Sequence, residues 1–250
     1  MQLSAEQLQA NWDRLMKAID VYVPGERGEK LKAMYEELQE QILFLPASGK
    51  PHYHNAFVGG YVDHVLRVLE LAIKTKKFWE SAGASINFTD EELAFAAINH
   101  DLGKVGDTGQ AGYIEQTDNW RKDKLQEYFT PNKELPFMLM QDRSLYLLQK
   151  YGISMTENEY LAIRLHDGIY DDANKAYFFS HNPDSKFRTN IVYILHQADF
   201  MASKVEYDRW ATSAPKPSNT QKSGGYKKGP AKPTMSGDAG GFKNAFKNFE

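Results

Sequence analysis

Apolar positions recur along the chain at spacings of three and four, the period of a helix face packed on a core. Ser4-Ala5-Glu6-Gln7 has the form of a capping box, and Leu8, Trp12, Leu15 and Ile19 follow it in one stripe. Leu31, Met34, Tyr35, Leu38 and Ile42 form a second stripe. Pro46 and Pro51 interrupt the pattern, and Tyr61, His64, Val65, Val68, Leu69 and Ala72 open a third. Thr89-Asp90-Glu91-Glu92 is another capping box, with Leu93, Ala96, Ala97 and His100 at i, i+3, i+4 and i+7 behind it. Thr156-Glu157-Asn158-Glu159 starts a helix expected to end near His166, and Ile191, Ile194, Leu195, Ala198 and Ala202 make the last stripe. Stretches rich in Gly, Asn, Asp and Pro at 103–119 and 167–184 read as loops. Alternating β-branched residues are scarce, so the expected core is all-α.

The 250 residues, 42% of them hydrophobic and 25% charged, suffice for one sizeable core. From Ser213 onward the composition changes: six of the 18 Gly and four of the 10 Pro fall there, with Ser, Thr and Lys between them. Such a segment cannot offset the entropy of ordering by burial, which predicts a disordered C-terminal tail. The expected organisation is N-terminal helices over 1–50 packing on the core, a main helical domain over 51–212 and a flexible basic tail over 213–250. Seven Lys against Asp238 and Glu250 give the tail +5, so the net charge of −3 leaves −8 on the rest. A uniformly basic nucleic-acid binder is thereby excluded. The absence of cysteine excludes a disulfide scaffold, a Cys-ligated zinc or iron–sulfur site and Cys-nucleophile catalysis. No run approaches the ~18 apolar residues of a membrane span, and the N-terminus lacks an apolar signal core, so the expectation is a cytoplasmic protein without membrane contact.

Any metal would have to be held by His and carboxylates, and several of these sit where a polar side chain needs a reason. His64 is in phase with Tyr61 and Val68, His100-Asp101 closes an apolar helix, and Asp199 lies within the last stripe with His196 three residues before it. A buried ionised Asp is costly without a partner or a metal. His64, His100, Asp101 and Asp199 make a two-nitrogen, two-oxygen set suited to Mg2+ or a divalent transition metal, with imidazole favouring Mn2+, Fe2+, Ni2+ or Zn2+.

The wording around these residues is more specific than their spacing. Asn55-Ala56-Phe57-Val58-Gly59-Gly60-Tyr61-Val62-Asp63-His64-Val65, then Ile98-Asn99-His100-Asp101-Leu102-Gly103-Lys104, then Leu195-His196-Gln197-Ala198-Asp199 resemble the H…HD…D pattern of the HD-domain phosphohydrolases. The likeness covers about Tyr53 to Val205, and the Gly-Gly-x-x-x-His form of the first motif looks most like the HD module of bacterial 3′→5′ exoribonucleases. The resemblance implies an all-helical HD bundle and metal-dependent hydrolysis of phosphoester bonds. It implies His64, His100, Asp101 and Asp199 as ligands of Mn2+, Mg2+, Ni2+, Co2+ or Fe2+. Asp101 would also orient the attacking water, and Lys104 would contact the substrate phosphate. His166, where related enzymes often carry another His, would either touch the substrate or ligate a second metal. His52 and His54 precede the first motif, and one of them, His54 in the set adopted here, could face the phosphate. Tyr113, Trp120, Arg121 and Arg143 are of the types that stack bases or bind phosphates, with Arg143 the substrate-binding choice.

The expected function is therefore hydrolysis of a phosphoester in a nucleotide or at the end of a single-stranded nucleic acid. The alternative is a nucleotide-sensing module on the same fold, or an accessory protein of replication or repair recruited through its tail. Retention of all four ligand positions favours the enzyme. Phe242, Phe246 and Phe249, at i, i+4 and i+7, would share one face if the terminus docked as a helix on a protein partner.

Overall fold

The computed structural model describes residues 3–213. Helix α1 (Ala5–Tyr22) begins at the expected capping box, the Ser4 hydroxyl accepting from the Gln7 N–H and the Gln7 side chain accepting from the Ser4 N–H. The second stripe divides into α2 (Glu26–Glu37) and α3 (Gln39–Phe44) at Leu38, although the Ile42 N–H still bonds the Leu38 carbonyl at 3.0 Å across the break. Then come α4 (Gly60–Ser81), α5 (Asp90–Asn99) and a 3₁₀ turn over Leu102–Val105. Next are β1 (Gly106–Asp107), β2 (Gln110–Ala111), β3 (Tyr113–Glu115), α6 (Asn119–Leu125) and β4 (Phe129–Pro131). The described residues end with α7 (Met140–Lys150), α8 (Glu157–Leu165), the short α9 (Lys175–Phe178) and α10 (Ile191–Ser213). The Thr89 and Thr156 capping boxes both form, at the starts of α5 and α8. The expected tail over 213–250, with Phe242, Phe246 and Phe249, lies outside the described residues beyond Ser213.

The protein is mostly helical. The segment between Val105 and Met140 departs from the all-α expectation with two small antiparallel ladders: Gly106 pairs with Ala111, and Tyr113 and Glu115 pair with Pro131 and Phe129. Strands of two or three residues hold at most one alternation, too little for a period-two pattern to show in the sequence.

Four helices close a ring: α4 packs against α5 and α10, and α8 packs against the same two. Their inner faces contribute Tyr61, Val65, Phe95, Ile98, Ile163 and Ile194 to one core, joined by Leu15 and Ile19 of α1 and Leu31 and Tyr35 of α2. α7 lies across the 3₁₀ turn that follows α5. Gly103 permits that approach, because a Cβ there would strike the Met140 carbonyl oxygen. The N-terminal helices brace the ring through polar groups as well. The buried Tyr35 hydroxyl is 3.0 Å from the Ile98 carbonyl and 3.2 Å from Asn99 Oδ1, immediately before His100. Among the described residues, no helix is long and apolar enough to cross a membrane.

Arg27 of α2 ties α5 to α8. Its guanidinium donates to both oxygens of Glu159 at 2.9 and 2.8 Å and also to Glu91, and it lies 4.5 Å from the centre of the Phe95 ring. Glu159 is fully buried, and burial holds its carboxyl above the usual range despite the Arg27 charge. Breaking such a pair from one side leaves an uncompensated charge inside. Arg27→Ala should therefore lower unfolding free energy by about 3 kcal/mol in urea titrations at neutral pH. The deficit should shrink at acidic pH, where Glu159, its carboxyl raised by burial, can fold protonated. A change near zero at both pH values would show that the pair contributes little.

Candidate metal centre

His64 sits in the second turn of α4, so its inward position follows from the stripe that buries Tyr61, Val65 and Val68. Its Nδ1 meets the Glu206 carboxylate of α10 at 3.2 and 3.1 Å, which leaves Nε2 pointing to the middle of the ring. Glu206 is itself buried and accepts from Arg67 Nε at 3.0 Å, while Arg67 Nη2 reaches Asp63 at 2.7 Å. Asn55, at φ 37°, donates to the same Asp63 oxygen at 2.9 Å and so fixes the chain entering α4.

His100 and His166 are placed by one device used twice. Each occupies the C-cap of its helix, α5 or α8, and each brings Nδ1 to 2.8 Å from the carbonyl three residues back, Ala97 or Ile163. A carbonyl can only accept, so Nδ1 carries the hydrogen and Nε2 keeps its lone pair. The chain just beyond each His is pinned in turn. The Ser144 hydroxyl of α7 accepts from the Gly103 N–H at 2.8 Å and lies 3.1 Å from the His100 carbonyl. His196 Nδ1 donates to the His166 carbonyl at 2.7 Å, with its ring against Gly168, where φ is 58° and a Cβ would collide with the imidazole.

These constraints bring the three Nε2 atoms and two carboxylates together. His64 Nε2 lies 3.1 Å from Asp199 Oδ1 and 3.5 Å from Asp101 Oδ2; His100 Nε2 lies 3.8 and 3.5 Å from the same two oxygens. His166 Nε2 stands 3.7 Å from Asp101 Oδ1 and 3.7 Å from Asp167 Oδ1, so the two Asp101 oxygens face different histidines. Gln141 Nε2 holds the second oxygen of Asp167. Two ligands at right angles on an ion with bonds of about 2.1 Å stand about 3 Å apart, close to the shorter separations here. The Nε2 atoms of His54 and His100 are buried without a hydrogen-bond partner, and such groups are rare unless something is meant to engage them. The buried groups of His64, His100, Asp101, His166 and Asp199 could thus hold a metal ion.

The electrostatics follow from burial and proximity. Burial alone would push the His64 imidazole down, but Glu206 and Asp199 reverse this and carry its pKa up to about 10. His100, with no such neighbour on Nδ1, is held by burial at about 4 despite Asp101. Burial opposes the charge on Asp101, yet Lys104 and the three imidazoles keep its carboxyl well below the usual range; Asp199 is lowered likewise, with His64 its main partner.

Two substrate-binding expectations gain a different setting. His54 enters the cluster, its ring centre 4.7 Å from that of His64, within a group formed with His64 and Asp101. Burial, then the Lys104 charge, keeps it neutral. Lys104 Nζ is 2.6 Å from Asp101 Oδ2 and pairs with that carboxylate. Arg143 is buried on α7, donates to the Pro136 carbonyl at 2.5 Å and lines a separate cavity of about 510 Å³ beyond Lys104 and Tyr113. Trp120 is exposed on α6, and Arg121 pairs with Glu127 at 2.8 Å.

Glu206, Arg67, Ser144 and Asp167 were not anticipated as parts of the site. Glu206 had a signal: it follows Asp199 by seven residues and Ala202 by four, on the face of α10 that turns inward. No family model, curated protein or solved structure matches this chain.

To bind an ion, protonated His64 must give up its Nε2 hydrogen, so metal binding should release a proton and strengthen as pH rises. Calorimetric titration with Mn2+ in buffers of different ionisation enthalpy reads both, with affinity expected to change by up to about tenfold per pH unit. An affinity independent of pH would remove His64 from the ligand set. Glu206→Gln leaves every candidate ligand in place but removes the carboxylate behind His64, and should weaken Mn2+ binding about 10- to 100-fold. Unchanged affinity in that variant would show that the carboxylate does not tune the site.

Proposed function

We propose that this chain is a metal-dependent phosphohydrolase of the HD-domain type, acting on a phosphoester of a nucleotide or of a nucleic-acid end. The observation that carries the reading is the meeting of imidazole and carboxylate groups in the order H…HD…D, from α4, the end of α5 and α10, around buried ring nitrogens that lack partners. The ring of four helices is consistent with an HD bundle.

His64, His100, Asp101 and Asp199 would hold the cation, with His166 and Asp167 beside them as a further donor pair that shares Asp199. A bound Mn2+, Mg2+, Co2+, Ni2+ or Fe2+ supplies Lewis acidity toward a phosphoryl oxygen and makes a water nucleophilic near neutral pH. The protein's own groups orient and neutralise. Asp101 stays ionised and sits between two histidine pairs, placed to align an attacking water by accepting its hydrogen. Lys104 balances that carboxylate, and a modest swing of its ammonium would bring it to a phosphate oxygen. His54 remains neutral inside the site, so it can donate or accept at the substrate without adding charge. Glu206 and the two backbone carbonyls keep the rings from turning. Absence of cysteine removes a thiol nucleophile, and a direct displacement by water needs none.

The test is turnover by the purified full chain with Mn2+, Mg2+, Co2+ or Ni2+ against mononucleotides, cyclic nucleotides and short single strands. Chelation and Asp101→Ala should each abolish activity, and Lys104→Ala should reduce it less. Hydrolysis in 18O-labelled water should place one label in the released phosphate or phosphomonoester. Undiminished turnover by Asp101→Ala would sink the mechanism.

A further inference from the structure

The metal-capable cluster opens on a cavity of about 400 Å³, within the size range of small-molecule sites. His54, Asp167 and Asp199 lie in its wall. Three exposed aromatic side chains from three separate elements also line it: Tyr53 from the loop before α4, Tyr170 from the 3₁₀ turn after α8, and Phe200 from α10. They are 57%, 73% and 41% exposed, so each leaves apolar surface in water at one place. Gathered exposed apolar surface of this kind marks a binding site more often than a chance of packing.

The arrangement also says what shape would cover it. The Tyr170 and Phe200 rings are within 8° of parallel with centres 6.1 Å apart, so they present one orientation to an incoming flat ring. Lys204 places its ammonium 4.9 Å from the centre of the Phe200 ring, at the edge of the same cavity. A ligand with a planar aromatic end and an anionic end would satisfy both features in one binding event. The larger cavity beyond Lys104 and Tyr113 is lined by none of the metal-capable side chains, so an occupant there would be parted from the reacting centre.

We propose that Tyr170 and Phe200, with Tyr53 at the rim, form a base-stacking platform, and that the substrate is a base-bearing phosphoester whose phosphate faces the metal-capable cluster. This rests on the phosphohydrolase reading and assigns the part of the site that would recognise the base. Stacking reads the presence of a base and little of its identity, since every base has a π face. Adenine and cytosine are accordingly accepted alike, and a sugar phosphate is not.

Equilibrium dialysis of the full chain against AMP, CMP and ribose 5-phosphate tests the platform, each ligand in Mg2+ and again in EDTA. The Mg2+ dependence, common to all three ligands, reports the metal reading; the difference between nucleotide and ribose 5-phosphate reports this one. AMP and CMP should bind about tenfold more tightly than ribose 5-phosphate. Tyr170→Ala with Phe200→Ala should erase that difference and leave ribose 5-phosphate binding unchanged, whereas Tyr170→Phe should preserve it. A phosphorylated tetranucleotide in place of AMP distinguishes a polymer end from a free nucleotide, and its binding too must weaken in the double variant. The platform is refuted if AMP and ribose 5-phosphate bind within twofold of each other, or if the preference for AMP survives in a double variant whose circular dichroism melt matches the unmodified chain.

Discussion

Between His64 and Glu206 a buried imidazole faces a buried carboxylate across 3.1 Å, joining α4 to α10 where a lone buried charge would be costly. The contact settles several things together. It makes Nδ1 the donor and turns Nε2 inward. It gives Arg67 a second partner beside Asp63, so the outer flank of the pair is also neutralised. It sets the register of two long helices against each other, since a shift of either would strand an ion in the core. The placement of Asp199 two turns earlier on α10 then follows, and with it the distance to His64 Nε2.

The other half of the cluster is arranged around the ends of helices instead of their middles. α5 and α8 stop where their last side chains are His100 and His166, and the chain leaves each through a tight turn that projects Asp101 or Asp167. What surrounds these turns is dedicated to keeping them in place: Tyr35 and Asn99 behind the first, Ser144 across it, His196 and Gly168 over the second. The N-terminal helices thus act on the site without touching it, while α7 also reaches it through Gln141, which holds Asp167. Their role is to make two helix termini as rigid as helix interiors.

How much of this could be read from residues alone depends on whether a conflict is visible in one dimension. His64, His100, Asp101 and Asp199 each interrupt or end an apolar stripe, so their inward direction shows as a violation of the local pattern. Glu206 violates the same pattern, yet its meaning comes from a partner 142 residues earlier, which no local window contains. Ser144 and Asp167 matter through contacts of the same long-range kind. His54 lies in a loop without periodicity, and its burial depends on the turn at Asn55. The proximity of Lys104 to Asp101 at i+3 is available in the spacing, but only the 3₁₀ geometry decides that the two meet. The short ladders after the turn, and the pairing of Tyr170 with Phe200 across thirty positions, arise from tertiary packing and leave no periodic trace.

The backbone tethers on His100 and His166 carry an implication about where entropy is lost. An imidazole on an untethered side chain must surrender its rotamer freedom when it engages a ligand, at about 0.5–1.5 kcal/mol for each ring immobilised. Here the carbonyls of Ala97 and Ile163, and the Glu206 carboxylate, have already stopped the three rings during folding. The ordering is charged to the stability of the helical ring, which has a large core to absorb it, and not to the association step. A cation arriving at this cluster would meet ligands that have nothing left to organise, and the same residues without their tethers would hold it about tenfold or more less tightly.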